Sequence, residues 1–234
     1  MDSIERRGFL GRVIGAASAF GVSLSTPLAA SAQAPATDGW LAEVKGTHRC
    51  FFDVPKHMNG VGLLHILNYL NTYAAAYPAT PGSVGAVSSF YGIGPGASLP
   101  LAFNDAMWTK YGLSEYTGLK DATGKPYARN PFHRPTAGEL HLLMQAMQTP
   151  TIPMFAGALP ALGIESLQKM GTKFLMCNNA FGAWCAELEA RGKGAAADIQ
   201  KELGANLLPG VTIVPAMVIA IEQAQAAGIA YNRQ

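Results

Sequence analysis

From residue 172 to the C-terminus the sequence alternates short apolar runs with helical stripes, and this alternation constrains the fold more than any other feature of the chain. Residues 172–176 and 211–214 are β-like segments bounded by Gly and Pro, with helical patterns at 180–190 and 196–203 between them. A further helix at 216–226 leads into a closing strand at 229–232. Each strand returns through a helix, so the strands run mainly parallel and helices cover both faces of the sheet. Earlier segments repeat the plan. Residues 48–54 alternate as a first strand. Leu63, Leu64, Ile66, Leu67, Leu70 and Tyr73 make a helical stripe over 62–77 that Pro78 stops, and 84–91 is a second strand.

Gly92-Ile93-Gly94-Pro95-Gly96 turns the chain after that second strand, and helical spacing resumes over 99–111. A strand, a glycine loop and a helix in that order can cradle an anion on backbone N–H groups. The spacing is neither G-x-G-x-x-G nor a Walker loop with its lysine. Residues 117–135 hold Gly, Pro, Asp and Asn with few apolar anchors. They read as a long excursion, part of an insertion over 117–150, that presents Lys125, Arg129, His133 and Arg134 to solvent or to an anionic ligand. Helices are expected at 139–147 and 159–170.

Arg6-Arg7 opens an N-terminal segment with a mild apolar run over 13–28 and the small residues Ala30-Ser31-Ala32, the layout of a cleavable export signal. Glu5-Arg6-Arg7-Gly8-Phe9-Leu10 resembles the twin-arginine signal, which carries folded cargo to the periplasm. Cleavage is expected after Ala32. That leaves a polar leader at 33–46 and a single domain over 47–234. Gly, Ser and Pro interrupt the apolar run, which falls short of the ~20 strongly apolar residues that span a bilayer. No later stretch is long and apolar enough, so no span is expected in the mature chain. Charged residues make up 14% of the sequence and the formal net charge is +2. Loss of Arg6, Arg7 and Arg12 with Asp2 and Glu5 removes a net +1. A near-neutral domain without a basic cluster excludes nucleic acid as a partner.

The domain holds three cysteines, Cys50, Cys177 and Cys185. Cys177 stands at a strand-to-helix junction, where unpaired backbone N–H groups and the helix dipole favour negative charge. A thiol there can be made reactive, and packing is the alternative role. An odd count in an oxidising compartment leaves at least one thiol free or paired between chains. Eight residues of straight helix, about 12 Å, separate Cys177 from Cys185, whereas Cys50 can bridge either. The absence of C-x-x-C excludes thioredoxin-like and zinc-ribbon readings. His48 and Cys50 share a strand face with His57 in the next turn, a soft-metal trio as a weaker alternative to no metal at all. No cofactor is expected, and enzymatic activity is left open. Tyr91 falls on the C-terminal edge of the sheet, where ligands bind in parallel α/β folds. With Gly92, Asn178 and Asn179 it frames a candidate small-molecule cleft; capping the helix is the role expected first of the two asparagines.

Gly171-Thr-Lys-Phe-Leu-Met-Cys177, Leu207-Leu-Pro-Gly-Val-Thr-Ile-Val-Pro215 and Ala224-Gln-Ala-Ala-Gly-Ile-Ala-Tyr231 together resemble the DsrE/DsrF-like family over the C-terminal third. Asn104-Asp-Ala-Met-Trp-Thr-Lys-Tyr111 resembles its exported members. The resemblance implies a three-layer α/β/α sandwich around a mainly parallel sheet of about five strands. It also implies a homo-oligomer and a cysteine at the position of Cys177 that carries persulfide sulfur. The function expected is that of an exported sulfur or thiol carrier acting through Cys177, with a sulfur donor or another small molecule as ligand. The alternative is a non-catalytic small-molecule-binding or oligomeric assembly module of the same fold.

Overall fold

A computed structural model describes residues 39–77 and 82–234. The export signal expected over 1–32, leader residues 33–38 and the helix stop at Pro78 lie outside the described residues. Five strands, β1 (His48–Asp53), β2 (Val84–Phe90), β3 (Thr172–Cys177), β4 (Val211–Val214) and β5 (Ala230–Arg233), form one all-parallel sheet in the order β4-β3-β2-β1-β5. α1 (Gly39–Glu43) precedes the sheet and α2 (Val61–Ala76) joins β1 to β2. Five helices lie between β2 and β3: α3 (Asp105–Tyr111), α4 (Leu113–Thr117), α5 (Leu140–Met147), α6 (Met154–Leu162) and α7 (Ile164–Lys169). α8 (Asn178–Ala190) and α9 (Ala196–Ala205) lead to β4, and α10 (Met217–Ala226) leads to β5.

The steps from β1 to β4 each move one place in the same direction, so right-handed crossovers put their helices on one face. The chain then returns from β4 at one edge to β5 at the other, and the same handedness puts α10 on the opposite face. The period-2 alternation of the strands follows this division. Cys50, Phe52, Ala86, Phe90, Phe174 and Met176 enter the large core beneath α2, α8 and α9, where Phe90 and Phe174 stack at 5.0 Å. Phe51, Val87, Leu175, Cys177 and Val214 enter the smaller core on the other face, closed by Trp40 and Val44 and by Met217, Ala220 and Ala224 of α10. Helices on both faces of the parallel sheet make the three-layer α/β/α arrangement.

Two expected helices are broken, at Phe103 and at Gly163. The stripe over 99–111 divides into a 3-10 turn (Leu99–Ala102) and α3, because Phe103 is extended and the Asn104 side chain caps α3 by accepting from Met107 N–H at 3.2 Å. The stripe over 159–170 divides at Gly163, which is extended at φ −61° and ψ 145° between α6 and α7. A Cβ at Gly163 would lie 2.6 Å from Pro135 Cδ, so the excursion approaches the chain there at a distance only glycine permits.

The excursion is itself packed rather than solvated. Leu119, Tyr127 and Phe132 are buried in the large core, and Asn130 is 1% exposed. Asn130 Nδ2 donates to the carbonyls of Leu101 (2.8 Å) and Phe103 (3.0 Å), its Oδ1 accepts from Phe132 N–H (3.1 Å), and its own N–H donates to Asp105 (2.9 Å). One side chain therefore ties the excursion to the break before α3. Asn130→Ala leaves buried carbonyls without their donor and is expected to cost about 1–3 kcal/mol, read as a lower denaturant midpoint at unchanged slope. Lys125→Ala, on the exposed tip of the same excursion, should stay within about 0.5 kcal/mol.

Candidate functional site

β3 leads into α8 on one face, while its neighbour β4 leads into α10 on the other. Where adjacent parallel strands send their connections to opposite faces, a crevice opens beyond their C-terminal ends, and ligands of open α/β sheets bind there. Cys177 ends β3 at that place. It is the N-cap of α8 (φ −77°, ψ 118°), and its Sγ accepts the N–H of Ala180 at 3.5 Å. The same sulfur accepts the N–H of Met217, the first residue of α10, at 3.4 Å. Both donors belong to the unpaired N–H groups that begin a helix. The capping role expected of Asn178 and Asn179 therefore falls to the cysteine. Asn178 opens α8 half-buried, and Asn179 is exposed.

All three cysteines are free and buried, with Cys177 at 6% exposure. Cys50 and Cys185 lie in the large core, where burial pushes their thiols up to about 11 and about 12. Cys177 belongs to the core on the other face, so the sheet separates it from Cys50 and rules out that bridge.

Tyr91 follows β2 one residue beyond the Phe90–Met176 pair, which sets it level with Cys177 on the neighbouring strand. It is half-buried against the smaller core. Burial, and then the neighbouring Asp53 carboxylate, raise its phenol well above the usual value. Asp53, at the end of β1, is 3% exposed and accepts from Ser89 Oγ (3.2 Å) and the Tyr231 hydroxyl (2.7 Å). Two hydroxyls, from Ser89 on β2 and Tyr231 on β5, thus converge on one buried carboxylate. Sequence reasoning passed over Asp53; its signal was an acidic residue in phase with Phe51 on a buried strand.

Gly92 (φ +87°) must be glycine, since a Cβ would lie 2.7 Å from Pro55 O. Its carbonyl accepts the Trp184 indole N–H at 2.9 Å. The loop it opens runs into a four-residue 3-10 turn, not a helix start, so the anion cradle expected of 92–96 lacks its helix. The residues of the soft-metal trio are not brought together. His48 begins β1, exposed with its ring tilted against Tyr73 at 4.8 Å, whereas His57 lies beyond the other end of the strand. His57 Nδ1 accepts from Asn59 N–H (3.0 Å), which leaves Nε2–H to donate to Thr117 O (3.0 Å). Among the described residues no group of three His, Cys, Asp or Glu side chains is placed to hold a metal. Arg129 and Arg134 are paired with Glu139 and Glu165, each at 2.6 Å, so neither stands open to an anion. No helix among the described residues is long and apolar enough to cross a membrane.

No family model matches the chain, and no curated protein matches it. Among solved structures, a protein of unknown function from Methanobacterium thermoautotrophicum aligns over 80% of this chain and 99% of its own, at 17% identity and a TM-score of 0.38.

His57 supplies a pH test of this edge of the sheet. Burial lowers its pKa from the ordinary 6.5, so the folded state binds its proton less readily than the unfolded chain. Stability is fully present above about 6.5 and declines as pH falls below that value, because only the unfolded state takes up the proton. His133, lowered by burial and then by Arg134, acts in the same direction. Thermal midpoints from pH 8 to pH 5 should fall, and His57→Gln should make that fall shallower without abolishing it.

Proposed function

We propose that this protein is an exported, DsrE-like sulfur or thiol carrier that acts through Cys177. The observation that carries the reading is the placement of one sulfur between the first turns of two helices at the sheet's switch point. Backbone N–H donors bond an anionic sulfur more strongly than a neutral one, and Cys177 has two of them. Cys50 and Cys185 are poor competitors, because burial keeps both thiols protonated at neutral pH. In the reaction, the Cys177 thiolate attacks the outer sulfur of a persulfide donor. A new Sγ–S bond forms, the donor's S–S bond breaks, and the donor leaves as a thiolate. The step conserves electrons and needs no further oxidant. Burial of Cys177 favours small donors over bulky ones.

Incubation with inorganic polysulfide, followed by intact-mass measurement and peptide mapping, should place added sulfur on Cys177 alone. Cys177→Ser should remove it while Cys185→Ser leaves it in place. Sulfur spread evenly over the three cysteines, or none on the native chain, counts against the carrier reading.

A second reading, an assembly module, is favoured by the outer side of α10 and the edge strand beside it. Val218 is 73% exposed and Ile219 46%, and all four residues of β5 are exposed along a strand edge that is unpaired among the described residues. Apolar side chains beside an open edge invite a second copy of the chain. Sedimentation should then find a homo-oligomer that Val218→Lys dissociates; a monomer at high protein concentration removes this reading.

A further inference from the structure

A cleft of about 470 Å³ lies between the 92–96 loop, α4 and the flank of α8, within the ~300–1,000 Å³ range of small-molecule sites. It is separate from Cys177: Trp184, which forms its floor, belongs to the large core, whereas Cys177 belongs to the core on the opposite face of the sheet. We propose that this cleft binds a small molecule with a flat apolar body and a cationic group.

The shape argument rests on four side chains. Trp184 and Tyr116 meet edge to face at 5.2 Å and are both largely buried, so their rings offer a fixed apolar floor. The indole N–H is already given to Gly92 O, so Trp184 has no polar group left to satisfy there. Opposite them stand Pro95 and Ile93, and Ile93 is 68% exposed. The positive φ of Gly92 and Gly94 on either side turns the chain so that this large apolar residue is held at the mouth of the cleft, in water. A flat body entering between Ile93 and the Trp184–Tyr116 pair removes apolar surface from water on both of its faces.

The charge argument distinguishes a cation from an anion. Three charged side chains line the rim, Glu115, Glu187 and Arg191. Arg191 lies over the Tyr116 ring at 4.2 Å and is held by Glu187 through Nε at 2.7 Å and Nη2 at 2.5 Å. That pair is neutral, and an anionic ligand would have to displace Glu187 to reach the guanidinium. Glu115 has no ion pair among the described residues, so the rim carries one net negative charge beside an aromatic floor. A cationic group beside the Glu115 carboxylate meets that charge, and with Arg191 already over the Tyr116 ring the aromatic contact left to the ligand is Trp184.

Three probes that share a ring and differ in charge test this on the whole protein: benzyltrimethylammonium, benzyl alcohol and benzoate, followed by calorimetry and by amide shifts in NMR. The ammonium should bind about tenfold more tightly than the alcohol, with benzoate weakest and the shifts centred on Ile93, Tyr116 and Trp184. Glu115→Gln, at an exposed position, should remove most of the difference between ammonium and alcohol. Ile93→Ser, also exposed, should weaken both alike. Tightest binding by benzoate would make Arg191 the anchor and overturn the proposal. So would an undiminished ammonium preference in Glu115→Gln, shifts centred elsewhere, or no saturable binding by any probe. Binding in Cys177→Ser should equal that of the native chain, since the two sites stand on opposite sides of the sheet.

Discussion

The return of the chain from β4 across the whole sheet to β5 is the step on which the rest of the structure depends. Four strands laid down in one direction put every crossover helix on the same side and leave Phe51, Val87, Leu175 and Val214 facing water. Burial of an aliphatic or aromatic side chain is worth roughly 1.5–3 kcal/mol, so an uncovered face of this composition is not a stable surface. The β4 to β5 return brings α10 beneath it, with Ala220 and Ala224 small enough for the helix to approach closely and Met217 filling the space beside Cys177. Trp40 of α1 closes the remaining part. The same return makes β3 and β4 diverge into opposite layers, so the covering of the second face and the placement of Cys177 between two helix starts have one cause.

β5 is a short edge strand whose four side chains are all exposed, so apolar packing does not hold it. Its ladder with β1 is supplemented by Asp53. The carboxylate accepts from Tyr231, and the Asp53 carbonyl accepts from Gln234 N–H at 2.9 Å. A buried carboxylate is costly unless hydrogen-bonded, and here the hydroxyls of Ser89 and Tyr231 donate to it. Arg49 adds a further tie by donating to Ala227 O at 2.7 Å, just past α10. Polar contacts thus fix the strand that α10 must reach, and this determines how firmly α10 is seated over Cys177.

β3 and β4 were legible because each is an apolar run that follows a Gly: the expected 211–214 coincides with β4, and 172–176 falls one residue short of β3. α10 was legible because Pro215 and Gly228 bracket a run of good helix formers in which Met217, Ala220 and Ala224 recur at helical spacing. The breaks at Phe103 and Gly163 were not, because apolar periodicity continues through both, and the residues that meet the chain there, Asn130 and Pro135, are distant in sequence. The excursion looked solvated because its composition is polar, yet Asn130 and Glu139 are buried with their partners. Cys177 could be placed at a junction, but not seen as a cap shared with Met217, since that donor comes from a helix 40 residues away. The Trp184–Tyr116 cleft is assembled from three separate segments and left no local pattern.

α8 links the two sites. Its first turn supplies one of the two donors to Cys177, and its outward flank, from Ala183 through Trp184 and Glu187 to Arg191, forms one wall of the cleft. The helix is itself pinned at that wall, because the Trp184 indole donates to the loop that follows β2. A sulfur held by two helix starts keeps its environment only while both helices stay in place. α10 is held through Asp53 and β5, and α8 through Trp184 and Gly92, so each donor to Cys177 is secured by a polar contact on its own side of the sheet. Loosening either contact would remove one N–H from the sulfur while leaving the other in place, which makes the environment of Cys177 a joint property of the two layers.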